Sequence, residues 1–247
     1  MWQKQFSAQP NPNVPLYVIG DIHGRCDLLM RLIAMIDADI EARKLENATM
    51  VFVGDYVDRG PQSSLVVSLM LELLWDENRR VVALKGNHEA MLLAFLKDPE
   101  KGPRWLKYGG FETLMSYGVA KVTEDSPPEK LAQASRQLAA MLGEEAIGFL
   151  EDLELSFQSG NIFVSHAGAD PTLPLEQQTE TNLIWGPENF TKRKRRDKIW
   201  VAHGHYAQST PSIENGRISI DTGAYFSNQL TAARILPDEI KFMTAEL

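Results

Sequence analysis

The sequence is organised around Val-Phe-Val-Gly-Asp-Tyr-Val-Asp-Arg-Gly, residues 51–60. Its apolar start has the composition of a buried strand, and Gly54 lets the backbone turn sharply as it leaves that strand. Asp55 is therefore expected at the end of a strand, with Asp58 and Arg59 in the loop beyond it. A carboxylate can bridge two metal ions and a guanidinium can hold a phosphate, so this stretch predicts a binding site.

The same arrangement, an apolar run followed by polar side chains near a glycine, occurs four more times along the chain. The further runs lie at 16–19, 81–84, 162–164 and 199–202. The polar residues that follow them are Asp21, His23, Asn87, His88, His166, His203 and His205, which include all five histidines. Strand ends in an open α/β sheet meet at one edge, so we expect these side chains to converge.

Between these runs the apolar residues have helical spacing. The first predicted helix, over 27–39, would pack on a sheet through Leu28, Leu29, Leu32, Ile33 and Ile36. A second helix is predicted over 62–74, and further strands over 217–220, 230–235 and 240–243. Strands that alternate with helices indicate an α/β fold, and the length favours one domain over residues 1–247.

The middle of the chain, roughly 95–153, breaks this alternation and is predicted to form a helical cap beside the site. Helices are predicted over 131–142 and 144–153, after an acidic, proline-containing loop at 122–129. The aromatic residues and glycines of 105–111 fit two interpretations, a substrate groove or a helical hairpin that packs on itself. No residue of this segment is assigned chemistry.

The composition excludes several classes of protein. The hydrophobic content of 44% and charged content of 23% are ordinary for a soluble globular protein, and the net charge of −8 argues against nucleic-acid binding. Cys26 is the only cysteine, which excludes an intrachain disulfide and a zinc site built from several thiolates. No stretch is long and apolar enough for a membrane span, and residues 1–13 lack a signal-peptide core. We therefore expect a cytoplasmic protein.

Three of the polar stretches resemble the signature motifs of the phosphoprotein phosphatase family, the dinuclear metallophosphoesterases related to serine/threonine protein phosphatases. They are Gly-Asp-Ile-His-Gly at 20–24, Gly-Asp-Tyr-Val-Asp-Arg-Gly at 54–60 and Gly-Asn-His-Glu at 86–89. The resemblance extends from about Leu16 to Ile235. It implies a calcineurin-like metallophosphoesterase fold, an α/β fold with a central β-sandwich of mixed sheets flanked by helices.

The resemblance also implies two divalent metal ions. The first would be held by Asp21, His23 and Asp55, and the second by Asp55, Asn87, His166 and His205, with Asp55 as the bridge. Oxygen and nitrogen ligands without sulfur suit manganese, iron or zinc better than calcium, and manganese is the metal we expect. His203 has the pleat parity of His205 and is expected near the site, as a supporting residue or a ligand. Asp221 is expected to orient His205 or to cap a turn, with metal binding as the alternative.

The implied reaction is direct hydrolysis, in which a hydroxide shared by the two ions attacks phosphorus. Arg59 would stabilise the phosphate oxygens, and His88, held by Asp58, would donate a proton to the leaving group. Arg59, Asn87 and His88 would then be the residues that contact the substrate.

The sequence departs from the family pattern near Trp185. Similar bacterial phosphatases have a phosphate-contacting arginine soon after this tryptophan, but this chain has Gly186 and Pro187. The basic run at 192–196 either compensates for the missing arginine or is a solvated turn. Tyr206 also stands where the family more often has threonine.

The leading interpretation is a phosphomonoesterase of the serine/threonine protein phosphatase type, acting on a phosphorylated protein or a small phosphoester. The alternative is a dinucleoside polyphosphate hydrolase that cleaves diadenosine tetraphosphate. Its bacterial symmetrical form has alanine where this chain has Asp58, so Asp58 favours phosphomonoesters. A non-catalytic phosphate-binding module is a third interpretation, disfavoured because no matched ligand is missing. No nucleic-acid or membrane partner is expected.

Overall fold

Ten strands and eight α-helices form the described part of the molecule, residues 6–119 and 122–247 of a computed structural model. The strands are β1 Leu16–Ile19, β2 Thr49–Phe52, β3 Arg80–Ala83, β4 Ser156–Ser159, β5 Ile162–Ser165, β6 Trp200–His203, β7 Ser212–Glu214, β8 Arg217–Ser219, β9 Gln229–Leu236 and β10 Glu239–Glu246. The helices are α1 Cys26–Arg43, α2 Ser63–Trp75, α3 Asn87–Lys97, α4 Gly102–Trp105, α5 Phe111–Ser116, α6 Pro128–Glu151, α7 Glu180–Trp185 and α8 Ala224–Ser227.

The strands form two five-stranded mixed sheets. The first has the order β10-β9-β1-β2-β3, in which β1, β2 and β3 are parallel and Val18 lies opposite Val51. The second has the order β4-β5-β6-β8-β7, in which β5, β6 and β8 are parallel and the two edge strands run antiparallel. Each sheet therefore presents the carboxyl ends of three parallel strands.

Alternate residues of the central strands belong to different apolar cores. Val18 and Val51 of the first sheet share a core with Ile162 and Ala202 of the second, so the two sheets pack face to face. Tyr17 faces the opposite way and packs in the core that contains the buried residues of α1 and α2. Because both faces of these strands are buried, their sequences are unbroken apolar runs.

The fold class predicted from the sequence is confirmed. The helix predicted over 27–39 extends over Cys26–Arg43. The two helices predicted at 131–142 and 144–153 correspond to α6, which is broken at Gly143 with φ 76° and ends at Glu151. The assignment of the whole chain to one domain stays a prediction. Within the described ranges, no helix combines the length and apolar character needed to cross a bilayer.

The structure differs from the sequence prediction at the sheet edges. β4 and β7 were not predicted, because they are short, carry serine, glutamine or glutamate, and keep partly exposed side chains as edge strands do.

The strand predicted over 199–202 is shifted by one residue in the structure. It is β6, so His203 is its last residue instead of the first residue after it.

Candidate active site

The candidate site lies where the parallel strands of both sheets end. The loops after β1, β2 and β3 bring residues from the first sheet, and the loops after β5, β6 and β8 bring residues from the second. The residues delivered in this way are Asp21, His23, Asp55, Asp58, Arg59, Asn87, His88, His166, His205 and Asp221. Residues from the first sheet contact residues from the second, so the site is built from both sheets, as the motif spacing predicts.

The loops of the site have unusual backbone conformations. Five non-glycine residues of the site have positive φ, namely His23, Asp55, Asp58, Arg59 and His205. This region is sparsely populated by L-residues and costs free energy, so the surrounding fold must hold these residues in place. Gly54 has φ 108°, and a Cβ at this position would collide with the backbone of Gly86. The sharp turn predicted at Gly54 is therefore confirmed.

The carboxylate of Asp55 lies between histidines from both sheets. Its Oδ2 atom is 3.5 Å from Nε2 of His23 and 3.4 Å from Nε2 of His166. Nε2 of His88 lies 3.9 Å from the same oxygen. Asp55 thus faces histidines from both sheets, and its role as a carboxylate shared by two metal ions stays a prediction.

A second set of donor atoms meets beside Asp55. Nε2 of His166 is 3.0 Å from Oδ1 of Asn87, and Nδ1 of His205 is 3.0 Å from that oxygen and 3.2 Å from the His166 nitrogen. His166 donates from Nδ1 to the carbonyl of Val53, at 3.1 Å, which leaves a lone pair on Nε2. Lone pairs of Asn87 and His166 therefore point at each other, an arrangement that a cation stabilises.

The first metal position would be completed by Asp21 and His23. His23 donates from Nδ1 to the carbonyl of Val57, at 2.9 Å, so its Nε2 lone pair faces Asp55. Asp21 accepts from the backbone N–H of His205, at 3.0 Å, which ties the loop after β1 to the loop after β6.

Buried acids beside this position repel one another. Burial, and then the charges of Asp221 and Asp55, raise the pKa of Asp21 well above its ordinary value. Burial, and then the charge of Asp55, raises the pKa of Asp221 to about 6. Asp221 caps a turn by accepting from the backbone N–H of Gly223, at 2.8 Å, and the His205 backbone is held by Asp21 instead. A divalent ion near Asp21 would relieve this repulsion.

The three histidines expected to bind metal are shifted toward the neutral form that metal binding needs. Burial lowers the pKa of His23 to about 3 and that of His205 to about 4, and it also lowers the pKa of His166. Neutral imidazole is the form that coordinates metals. Two groups of donor atoms lie close enough together to hold a metal ion, His23 with Asp55 and His88, and Asp55 with His166 and His205. Asp21 is in neither group, so its place as a ligand stays a prediction, and the oxygen and nitrogen donors around Asp55 fit two divalent ions.

His88 and Asp58 form a buried pair next to Asp55. Nδ1 of His88 is 2.7 Å from Oδ2 of Asp58, and Nε2 of His88 is one of the buried side-chain atoms without a hydrogen-bond partner among the described residues. Burial lowers the pKa of His88, but the charge of Asp55 and the hydrogen bond and charge of Asp58 outweigh it and raise the pKa above its ordinary value. The ring can hold a proton on Nε2 that no protein group takes.

Two residues that the sequence analysis left without chemistry fix Asp58. Trp105 donates from Nε1 to Oδ2 of Asp58, at 2.9 Å, and Thr113 donates from Oγ1 to Oδ1, at 2.7 Å. The indole is fully buried and stacks on Phe95, with ring centroids 4.9 Å apart. The segment predicted as a helical cap is therefore in contact with the site, and the aromatic residues and glycines of 105–111 were the sequence signal available for it.

Glu89 is a further residue that the sequence analysis missed. Its buried carboxylate accepts from the backbone N–H groups of Asp55 at 2.9 Å, Tyr56 at 2.8 Å and Gly86 at 2.9 Å. Burial, and then the charge of Asp55, raises its pKa to about 7. These bonds hold the loop that carries Asp55 against the start of α3. A glutamate three residues after a helix start, as in a capping box, was the sequence signal.

Arg59 extends over an aromatic ring at the rim of the site. Its guanidinium carbon is 5.0 Å from the ring centroid of Tyr225, whose ring is 5.4 Å from that of His23. Within residues 6–119 and 122–247, no carboxylate forms an ion pair with Arg59. This half-buried cation is therefore available to a phosphate.

Both ring nitrogens of His203 have hydrogen-bond partners. Nε2 of His203 is 2.9 Å from Oγ of Ser219, Nδ1 is 3.0 Å from the carbonyl of Gly204, and the ring packs edge-on against Phe190. As the last residue of β6, it has the same pleat parity as Val201, which faces the outer core of the second sheet. Both of its ring nitrogens thus contact groups other than the assigned metal ligands, which disfavours the ligand alternative, and its role as a supporting residue beside His205 stays a prediction.

An arginine from the helical segment lies over Trp185. The guanidinium carbon of Arg104 is 4.9 Å from the ring centroid of Trp185. In the basic run at 192–196, Arg195 is buried and pairs with Asp197, and most of its neighbours are exposed. An exposed turn thus describes this run better than a phosphate contact.

Comparisons with known proteins give the same fold, and they also identify named enzymes to which this chain is similar. Residues 14–227 match the family described as "Calcineurin-like phosphoesterase". The bis(5'-nucleosyl)-tetraphosphatase PrpE [asymmetrical] of Bacillus velezensis is 30% identical over 237 residues, 88% of this chain and 87% of the relative.

Solved structures extend the likeness to the whole chain. A candidate diadenosine tetraphosphatase has a TM-score of 0.61 and 22% identity, with 97% of this chain and 99% of the other covered. A protein serine/threonine phosphatase from Saccharomyces cerevisiae has a TM-score of 0.57 and 17% identity, with coverage of 96% and 81%. At these identities the structures support the fold alone.

Proposed function

The chain belongs to the calcineurin-like phosphoesterase family, and we propose that within it the chain hydrolyses dinucleoside polyphosphates such as diadenosine tetraphosphate. The relative from Bacillus velezensis supports this substrate, which was the alternative interpretation of the sequence and is better supported than a serine/threonine phosphatase. The argument from Asp58 does not oppose it, because that argument concerned the symmetrical enzyme and this relative is described as asymmetrical.

The observation that carries the proposal is the convergence of donor atoms from both sheets on Asp55. We assign Asp21, His23 and Asp55 to one divalent ion, and Asp55, Asn87, His166 and His205 to the other. When bound, the two ions would polarise the phosphoryl group and activate water as Lewis acids. Manganese stays the expected metal, with iron or zinc as alternatives.

The residues of the chain itself would bind the phosphate and supply a proton. Arg59 is placed to hold the non-bridging oxygens of the phosphate that is attacked. His88 would present its Nε2 proton to the leaving oxygen, while the hydrogen bond to Asp58 fixes the ring. A nucleoside phosphate is a weak base and leaves without much help, so we expect anhydride cleavage to depend less on His88 than ester cleavage does.

The substrate assignment is tested by comparing kcat/KM on three substrates with manganese-supplemented protein. These are diadenosine tetraphosphate, a phosphothreonine peptide and 4-nitrophenyl phosphate. We expect the dinucleotide to be preferred by at least about tenfold, with AMP and ATP as the products if cleavage is asymmetrical. A higher kcat/KM on the phosphopeptide would contradict the proposal.

A phosphomonoesterase remains the second candidate because of one observation, the buried pair formed by His88 and Asp58. A proton donor of this kind is most useful for alkyl esters, whose alkoxide leaving groups are strong bases. If the phosphopeptide is the better substrate, this pair explains why. If no phosphoester is cleaved and phosphate still binds, the chain is a phosphate-binding module.

A further inference from the structure

Two adjacent aromatic side chains stand exposed at the edge of the site. Tyr225 and Phe226, on α8, are 37% and 60% exposed, and their ring centroids are 4.9 Å apart in an edge-to-face arrangement. We refer to these two residues as the aromatic platform. A large exposed ring is unremarkable alone, but two rings beside a candidate phosphate site require an explanation.

The platform is connected to the residues assigned to phosphate and metal binding. Tyr225 contacts both His23, with ring centroids 5.4 Å apart, and the guanidinium of Arg59, 5.0 Å from its ring centroid. Phe226 contacts Tyr225 in turn. The contacts therefore run from Arg59 to Tyr225 and from Tyr225 to Phe226.

The rings are held by a rigid backbone despite their exposure. Gly223 has φ 68°, and a Cβ at this position would overlap the ring of Phe226, so that ring packs closely against the glycine. Arg25 is buried and donates from Nη1 to the carbonyl of Ala224, at 2.8 Å, and to Oδ1 of Asn228, at 2.7 Å. Both ends of α8 are thus tied to the loop that carries His23, and little ordering is needed when a ligand stacks.

We propose that the aromatic platform binds the base of a nucleotide whose phosphates lie at Arg59 and the candidate metal ligands. This inference rests on the proposed function and names a second contact for the same substrate. A ligand that fits must combine an anionic group with a planar ring, because Arg59 offers a cation and the 60% exposed Phe226 lies one aromatic ring away from it.

The spacing favours a nucleotide over a phosphorylated aromatic amino acid. Phosphotyrosine carries its phosphate directly on the ring, which would place that ring against Tyr225. In a nucleotide the ribose separates the phosphate from the base by about the width of one ring. This separation brings the base to Phe226, the ring that contacts Tyr225.

The test is a calorimetric comparison of AMP with ribose 5-phosphate, using the full-length, manganese-loaded protein. The two ligands differ only in the base, so we expect AMP to bind about tenfold more tightly to the wild-type protein. Phe226→Ala should abolish that difference and leave the affinity for ribose 5-phosphate unchanged, whereas Phe226→Trp should preserve it. Trp75→Ala is the matched control, because Trp75 is 63% exposed on α2.

Three results would overturn the proposal. They are equal affinities of the wild-type protein for the two ligands, an equal loss of both affinities in Phe226→Ala, or tighter binding of phosphotyrosine than of AMP. Thermal melting of each variant establishes that it is folded. Binding requires no hydrolysis, so a protein that binds AMP through Phe226 but leaves diadenosine tetraphosphate intact would reject the proposed function and retain the platform.

Discussion

At the level of single residues, the hydrogen bonds around Asp58 determine what His88 can do. Asp58 accepts from Trp105, Thr113 and the Nδ1 atom of His88, so the carboxylate and the imidazole are both fixed. This leaves Nε2 of His88 buried beside Asp55, without a hydrogen-bond partner in the part of the chain that the structure describes. The geometry suits a proton donor to a leaving group, and that role stays a prediction.

Replacing His88 by asparagine tests this role. We expect His88→Asn to lower kcat on an alkyl phosphate by about 10²–10⁴-fold, because that leaving group needs a proton. The decrease on diadenosine tetraphosphate should be smaller, and the metal content should remain that of the wild-type protein. Steady-state kinetics on both substrates, together with metal analysis, measure these effects. An equal loss on both substrates would argue that His88 has another function.

At the level of helices and strands, the helical segment between α3 and α6 supports the site from the side. Trp105 ends α4 and Thr113 lies in α5, and both hold Asp58, while the carbonyl of Gly109 accepts from the backbone N–H of Arg59 at 3.0 Å. We propose that this segment positions the proton donor and the phosphate-binding arginine, in addition to any role as a cap.

Trp105→Phe tests that positioning. The substitution keeps the aromatic stacking on Phe95 but removes the N–H that binds Asp58. We expect kcat on an alkyl phosphate to fall by about tenfold, with little change in KM or in the rate on 4-nitrophenyl phosphate, whose leaving group is a weak base. Trp75→Phe is the control. A uniform loss on both substrates would indicate a structural role only.

The central elements could be predicted from the sequence, and the edge elements could not. β1 was predicted with its observed bounds, because burial on both faces makes such a strand an unbroken apolar run. β4 and β7 are half-exposed edge strands with mixed polar composition, which gives no clear period.

The same distinction holds for the candidate site. Residues such as Asp21 and His166 follow strands directly, so the strand pattern and the motif resemblance place them at one edge. Trp105 and Thr113 reach Asp58 from 47 and 55 residues away along the chain. These contacts depend on how the segment between α3 and α6 packs on the site, and a local sequence pattern does not predict such packing. Tyr225 reaches Arg59 through tertiary packing in the same way.

At the level of the whole molecule, the candidate metal site connects the two sheets. Asp21 and Asp55 come from the first sheet, whereas His166 and His205 come from the second, and the backbone of His205 is already bonded to Asp21. Metals bound by residues of both sheets would hold the sandwich together at this edge.

Metal removal should therefore lower the stability of the fold. A ligand present at about 100 times its Kd stabilises the folded state by about 2.7 kcal/mol. For a chain of this size we expect the Tm to fall by about 5–10 °C when a chelator is added, and to recover when manganese is restored. Differential scanning calorimetry measures this shift. An unchanged Tm in a protein shown to have lost its metal would contradict the expectation.

The most direct test of a two-metal centre organised by Asp55 is the metal content of Asp55→Asn, measured by mass spectrometry. Asparagine keeps the oxygen that accepts the backbone N–H of His88 but removes the charge that two ions would share. Asp37→Asn, at a partly exposed carboxylate paired with Arg79, is the control. We predict two ions per chain for the wild-type and control proteins and fewer than one for Asp55→Asn. Two ions retained in Asp55→Asn would contradict the account.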